Sequence, residues 1–189
     1  VCSVEIYREA AVAYDLIGKL QFPSDEPGVI EWAHSDKEES LCGSVADVTI
    51  ISPGDRTYED LYTITPGDIT LKIYRNGSLY WSGTLDPEFY EEPYSSGSEY
   101  EVTLTFSDFG ILNRMKFYMK GMQSMQDILN DALQRAKLGH CSPVRQYIST
   151  CMKGNSTPVT LSDLSLRADN FYDEDGEALS MYEVLEGML

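Results

Sequence analysis

The residues that could act as nucleophiles, general bases or metal ligands are few and scattered along the 189-residue chain. The histidines and cysteines are His34, His140, Cys2, Cys42, Cys141 and Cys151. His140 and Cys141 are adjacent, but neighbouring side chains usually point apart, so they do not form a ready nucleophile–base pair. Their spacing from Cys151 does not supply the four close ligands of a structural zinc site. We interpret the cysteines as reduced thiols, and we predict no catalytic residue, no metal site and no cofactor.

Acidic side chains could support two further chemistries, calcium binding and glycoside hydrolysis. In "DNFYDEDGEALS", a calcium loop with Asp173 and Asp175 as its third and fifth residues would begin at Phe171 and end at Tyr182. Neither end residue carries the carboxylate that such a loop requires, so we predict an acidic β-turn at the Asp-Gly pair instead. Glycoside hydrolysis needs two carboxylates, and no pair is singled out among 31 acidic residues. No glycine-rich nucleotide loop is present.

The composition and charge limit the partners of the chain. It has 14 basic and 31 acidic residues, which give a formal net charge of −17. Because nucleic-acid affinity comes largely from cationic side chains, this charge argues against sequence-specific binding of DNA or RNA. The sequence contains no apolar run long enough for a membrane-spanning helix, so membrane insertion is not expected. With 42% hydrophobic and 24% charged residues, the composition is typical of a globular protein with a substantial core.

The elements that must position any site are, in the first part of the chain, β-strands. The clearest signal is "DITLKIYRNGSLYWSGTL", in which Asn76-Gly77 predicts a two-residue type I′ turn. This turn pairs Ile73 with Tyr80 and Leu71 with Ser82. Neither face of the hairpin is fully polar, so we expect the core to cover one face and a neighbour to cover the other.

Several other strands are predicted before residue 118. Alternating apolar residues indicate strands in "EYEVTLTFS", "SVADVTIIS" and "VEIY", and weaker signals occur in "YDLIGKLQF" and "GVIEW". Polar turns separate these segments. Many short strands with such turns predict a barrel or a sandwich.

After about residue 118 the pattern changes to helices and, within residues 144–172, to irregular strands. "SMQDILNDALQRAKLG" predicts a helix that begins at the N-cap Ser124 and ends at Gly139. "SMYEVLEGML" predicts a second helix, with a capping box formed by Ser180 and Glu183. This helix has no end signal, so we expect the chain to be truncated there and its apolar stripe to be poorly covered or packed against another copy of the chain. The stripe consists of Met181, Val184, Leu185, Met188 and Leu189.

Aromatic side chains are concentrated in "LYWSGTLDPEFYEEPY", residues 79–94. Pro87 and Pro93 prevent further ladder pairing, so this stretch begins as a strand and then leaves the sheet. Its aromatic rings could stack on a sugar, but β-rich cores and protein interfaces also favour such residues. We predict a protein interface formed by Tyr80, Trp81, Phe89, Tyr90 and Tyr94.

Four stretches, taken in order, resemble a known family. They are "LKIYRNGSLYWSGTLDPEFYEEPY", "YEVTLTFSDFGILNRMKF", "SMQDILNDAL" and "NFYDEDGEALSMYEVLEGML". They resemble tail proteins encoded by prophages of Bacteroides-type bacteria, relatives of the baseplate hub or tail-tip proteins of tailed phages and contractile injection systems. The resemblance implies a tube-like β-barrel interrupted by an α/β insertion, and it brings no catalytic residue.

The expected fold is therefore α+β. A β-rich barrel or sandwich-like domain over residues 1–118 is followed by a small α/β domain over residues 119–189, truncated at its C-terminus. The resemblance implies a non-catalytic structural subunit that forms a ring, a trimer when full length, with other tail proteins as partners. It would be found in the bacterial cytoplasm during assembly and then in the phage-tail-like particle, or virion. The alternatives are a carbohydrate-binding module of a secreted gut-bacterial protein and a hydrolase that uses two carboxylates.

Overall fold

The structure is a computed structural model. It describes residues 2–9, 14–16, 21–23, 28–32, 41–54, 58, 61, 63–65, 67–86, 99–136 and 160–188. The chain forms two compact units, a first unit over Val1–Ile111 and a second unit over Leu112–Leu189. The fold is α+β, as predicted, and the predicted domain boundary at residue 118 lies a few residues beyond the division between the units.

The first unit is built on one antiparallel sheet. Its described strands are β1 (Cys2–Glu9), β2 (Tyr14–Leu16), β3 (Gly28–Trp32), β4 (Ser44–Ser52), β5 (Ile69–Arg75), β6 (Ser78–Leu85) and β7 (Tyr100–Ser107). They lie in the order β2-β1-β5-β6-β7-β4-β3, so every predicted strand of this unit is present. Within the described residues the edge strands β2 and β3 do not pair with each other, so the sheet is not closed into a barrel.

A single hydrophobic core lies against one face of this sheet. Side chains alternate along β4 between buried and half-buried positions, as expected for a strand with one face in the core. The largest fully buried residues include some from strands that are far apart in the strand order, such as Ile6 on β1 and Val48 on β4. Because these side chains share one core cluster, the sheet bends around it.

The predicted turn of the β5–β6 hairpin is confirmed. Asn76 and Gly77 have φ values of 52° and 79°, the positive values that a type I′ turn requires. Next to the turn Tyr74 pairs with Leu79, as the two-residue loop dictates.

The predicted register beyond the turn is wrong, because the hairpin contains a β-bulge. The pairing shifts between Ile73 and Tyr74, so Ile73 pairs with Trp81 and not with Tyr80. Tyr80 is the extra residue of the bulge, and Leu71 pairs with Gly83, not with Ser82. A one-residue shift moves side chains to the other face of the sheet, so Trp81 joins the core.

Both faces of this hairpin are covered where β6 enters the sheet. The neighbour that we expected to cover one face is not required for these residues. All five residues of Trp81–Leu85 are buried, including the polar Ser82 and Thr84. The chain therefore covers this part of β6 on both faces by itself.

The second unit combines short helices with a small sheet. Its described elements are α1 (Gly110–Arg114), which spans the division, β8 (Met122–Ser124), α2 (Met125–Arg135), β9 (Ser165–Arg167), a 3-10 helix (Ala168–Phe171) and α3 (Met181–Met188). β8 and β9 pair antiparallel. The strands predicted within residues 144–159 and the helix end predicted at Gly139 lie outside the described residues.

The local signals predicted for the second unit are confirmed. The Ser124 hydroxyl accepts a 3.0 Å hydrogen bond from the Asp127 backbone N–H at the start of α2. At the start of α3, the Glu183 N–H donates to the Ser180 hydroxyl at 3.2 Å, and the Ser180 N–H donates to the Glu183 carboxylate at 2.7 Å. These two bonds form a capping box. The predicted acidic turn is also present, since the Gly176 N–H donates to the Asp173 carbonyl at 3.0 Å.

The expectation that the apolar stripe of α3 is poorly covered is wrong. Met181, Val184 and Leu185 are buried, Met188 is half-buried, and Leu189 lies outside the described residues. The stripe is covered because the chain around Met115 runs beside the start of α3. The Met181 N–H donates to the Met115 carbonyl at 2.7 Å, and α2 also contacts α3.

Candidate interaction site

The structure separates the residues of the predicted aromatic interface. Tyr80 lies at the bulge in β6, and the residue is 51% exposed to solvent. Trp81 is only 5% exposed and belongs to the core. Phe89, Tyr90 and Tyr94 lie outside the described residues. Among the described candidates, Tyr80 alone presents its side chain to solvent.

Trp81 is held in the core by a chain of hydrogen bonds. Its indole Nε1–H donates to the Ser44 hydroxyl at 2.8 Å, and that hydroxyl donates to the Asp108 carboxylate at 2.7 Å. The Ser44 backbone N–H donates to the other oxygen of Asp108 at 2.9 Å. These bonds connect β6, the start of β4 and the residue that follows β7. A buried indole N–H needs such an acceptor, so Trp81 has a structural role.

A cavity of about 590 Å³ opens beside Tyr80. It lies between the ends of β1 and β5 on one side and β3 and β4 on the other, where the bent sheet brings distant strands together. Its apolar lining consists of Val4, Phe22, Val29, Ile30, Val48 and Ile73. Val48 is fully buried, while Tyr80 and Arg75 are exposed, so the polar groups lie toward the mouth.

Few charged groups border this cavity. The Arg75 guanidinium carbon lies 5.9 Å from the centroid of the Tyr80 ring, within the range of a cation–π contact. Asp47 also lines the cavity, and its carboxylate accepts a 2.6 Å hydrogen bond from the Thr105 hydroxyl. Over the described part of the chain, Arg75 forms no ion pair with a carboxylate.

The edge strand β3 carries two exposed apolar residues. Val29 and Trp32 are 45% and 54% exposed, and Val29 lines the same cavity as Tyr80. Trp32 lies three residues further along the strand, about 10 Å away, so it points to the opposite face from Val29, and it does not line the cavity. We call the three exposed residues Val29, Trp32 and Tyr80 the apolar rim. In the described structure β3 pairs with β4 on one side only, so Val29 and Trp32 lie at an open edge of the sheet, whereas Tyr80 lies on β6, inside the strand order.

The opposite face of the sheet is polar. On β1 the Tyr7 hydroxyl donates a hydrogen bond to the Glu5 carboxylate, and the Lys72 ammonium of β5 lies 4.8 Å from the Tyr7 ring centroid. The hydrogen bond to Glu5 is the main cause of a raised pKa for Tyr7, and burial adds to it. These side chains are paired with one another, so this face is a less favourable contact surface than the rim.

The other exposed apolar residues of the described chain are dispersed. Ile64 lies in a loop of the first unit, and Tyr118 and Met122 lie in the second unit. The Tyr118 hydroxyl donates to Asp131 at 2.9 Å, and this bond raises the pKa of Tyr118. Single exposed apolar residues are normal on soluble proteins and carry no functional argument.

Most of the residues considered for catalysis or metal binding, His34, His140, Cys141 and Cys151, lie outside the described residues. No group of three histidine, cysteine or acidic side chains in the described ranges is placed to hold a metal ion. The same residues contain no helix long and apolar enough to cross a membrane. The arrangement offers two surfaces for binding, an apolar cavity bordered by Val29 and Tyr80, and the exposed edge of β3.

Comparisons with known proteins do not assign a family. No protein-family model matches the chain, and no curated protein matches it.

Sequence reasoning missed most of this site. Arg75, Val29 and Trp32 were not among the predicted interface residues, although "GVIEW" carries an available signal. Its apolar residues do not alternate strictly with polar ones, so some of them must be exposed on a strand with one buried face. The cavity has no signal in the sequence, because it depends on how far the sheet bends.

Proposed function

We propose that the protein is a non-catalytic structural subunit of a phage-tail-like particle, at the position of a baseplate hub or tail-tip protein. The apolar rim is the observation that carries this proposal. It places two large apolar residues, Val29 and Trp32, on an edge strand and a third, Tyr80, at the bulge of β6, and their burial against a neighbouring subunit would be favourable. The resemblance noted in the sequence supplies the kind of particle.

The open edge suggests how a tube wall would form. β3 presents unpaired backbone groups on one side within the described structure, and a neighbouring strand can extend such an edge. In this proposal the bent sheet is one segment of a barrel-like or sandwich-like wall. Neighbouring subunits complete the wall as a ring, a trimer in the full-length protein.

The acidic charge agrees with this role. A tail channel must let DNA pass without retaining it, and carboxylates repel phosphates that lysine and arginine would bind. The net charge of −17 also keeps unassembled subunits apart until the apolar contacts form. The subunit would assemble in the bacterial cytoplasm and remain in the finished particle.

A matched pair of substitutions tests the proposal. Val29→Asp places a charge on the rim, and Ile64→Asp places the same charge at an exposed site outside it. We expect Val29→Asp to block incorporation into particles assembled with the tube and spike proteins, and Ile64→Asp to leave it unchanged. Equal incorporation of both variants would count against the rim as a subunit contact.

A carbohydrate-binding module is the second candidate function. The exposed Tyr80 ring lies at the mouth of a cavity that also presents Arg75 and Asp47, and aromatic rings with a few polar groups are suited to a sugar. A glycan array followed by calorimetry would detect such binding. Saturable binding of a glycan that is lost in Tyr80→Ala would favour this function over the structural one.

A further inference from the structure

The cavity of the first unit has the size and lining of a small-molecule site. Its volume is about 590 Å³, and pockets of about 300–1,000 Å³ enclose most of a small organic ligand. The walls are aliphatic or aromatic on both sides, with Val4 and Ile73 facing Ile30 and Val48. An extended apolar chain that enters the cavity would therefore bury its surface away from water.

The mouth of the cavity presents a positive charge. Arg75 is exposed there and lies over the Tyr80 ring, with no carboxylate paired to it in the described part of the chain. This is notable in a chain with 31 acidic residues. A guanidinium binds a carboxylate through two parallel hydrogen bonds. Asp47 is the acidic residue on the cavity wall, and the Thr105 hydroxyl already donates to it.

We propose that this cavity binds an amphipathic monocarboxylate, with its alkyl chain between the apolar walls and its carboxylate at Arg75. Charge complementarity selects the carboxylate, and the apolar lining selects the chain. This inference does not depend on the proposed role in a particle, because its test uses the isolated protein and a small ligand.

Calorimetric titration with straight-chain carboxylates of increasing length tests the proposal. We expect one ligand per chain and a Kd that falls about fourfold for each added methylene until the cavity is filled. Alcohols of the same length should bind about tenfold more weakly, because they lack the charge that Arg75 recognises. Alkylammonium ions should bind more weakly still. All titrations stay below the concentration at which the ligand forms micelles.

Three variants locate the binding. Arg75→Gln should abolish the preference for the carboxylate over the alcohol, whereas Arg167→Gln, an exposed arginine paired with Asp169 in the second unit, should retain it. Gly28→Leu should weaken binding of every ligand. The Cβ atom that this change adds meets only Asp47 and Val48, at 3.4 and 3.8 Å, and the rest of the side chain would enter the cavity.

Thermal unfolding of each variant shows whether it is folded. Equal affinity for carboxylate and alcohol in the unchanged protein would overturn the proposal, as would a preference that survives in Arg75→Gln. Absence of saturable binding, or many ligands per chain, would overturn it as well.

Discussion

At the scale of single residues, Trp81 is a core residue of the first unit whose indole N–H is satisfied by a buried hydrogen bond. Ser44 accepts from its indole and donates to Asp108, so one hydroxyl serves both partners. Gly83 lies beneath the ring and provides the space that the indole occupies. Ser44→Ala removes both hydrogen bonds of this hydroxyl, and Gly83→Ala fills the space under the ring.

Ser44→Ala should destabilise the first unit. It leaves the buried indole N–H without its acceptor, and an unsatisfied buried donor costs about 1–3 kcal/mol. The free energy of unfolding in urea measures the loss. Ser78→Ala, an exposed serine in the same hairpin, is the matched control and should change the free energy by less than about 0.5 kcal/mol. Equal effects at the two positions would mean that the hydrogen bond contributes little.

Gly83→Ala should also be destabilising, through crowding. The added Cβ would clash with the Trp81 ring and lie 2.7 Å from the Ser107 carbonyl oxygen, which is backbone and cannot move freely. Overpacking of this kind typically costs about 1–3 kcal/mol. Gly28→Ala is the control, because its Cβ would come no closer than 3.4 Å to another atom. If both alanine variants unfold at the same urea concentration, the packing of Trp81 on Gly83 is not as described.

At the scale of elements, the capping box of α3 gives the helix a pH dependence. Hydrogen bonds from the Ser180 backbone N–H and hydroxyl hold the pKa of Glu183 below its usual range. A lowered folded-state pKa stabilises the fold above the unfolded-state pKa, about 4.3 for glutamate. This stabilisation is lost as the pH falls through the lower, folded-state value.

Glu183→Gln tests this dependence, because glutamine resembles the protonated glutamate. We expect the variant to be less stable than the unchanged protein at pH 7 and the difference to shrink as the pH falls below about 4. Urea unfolding followed by circular dichroism at several pH values measures it. Glu186→Gln on the same helix removes a carboxylate outside the capping box and should destabilise the protein less at pH 7. A difference for Glu183→Gln that does not vary with pH would contradict the assignment.

Local elements could be predicted from the sequence, whereas the pairing register of the β5–β6 hairpin and the cavity of the first unit could not. The turn at Asn76-Gly77 and the caps at Ser124 and Ser180 follow from backbone preferences of a few neighbouring residues, and all three are confirmed. The register beyond the turn depends on where Trp81 finds space and an acceptor, which is set by distant residues. The predicted pairing therefore failed at the bulge.

The same limit applies to the candidate site. Tyr80 was predicted to belong to a protein interface because it lies in an aromatic stretch; it is 51% exposed, and its contact with a partner stays a prediction. Arg75 lies near it because the β5–β6 hairpin turns between them, whereas Val29 reaches the same cavity only through the bending of the sheet. No local pattern contains that information.

At the scale of the whole molecule, we predict that the protein has no hydrolytic activity. The sequence offers no ready nucleophile–base pair, and among the described residues no cluster is placed to bind a metal ion. Assays on peptidoglycan, common polysaccharides and ester substrates should show no turnover above background. Turnover that disappears on substitution of one carboxylate or one cysteine would contradict the structural role.

The central claim is that this chain is a subunit of a phage-tail-like particle, with the apolar rim at a subunit contact. Electron microscopy of the full-length protein assembled with its tube and spike partners is the most direct test. We predict a ring at the end of the tube, with Val29, Trp32 and Tyr80 buried between neighbouring subunits. A protein that never enters a particle, or a ring in which these three residues face open solvent, would contradict the claim.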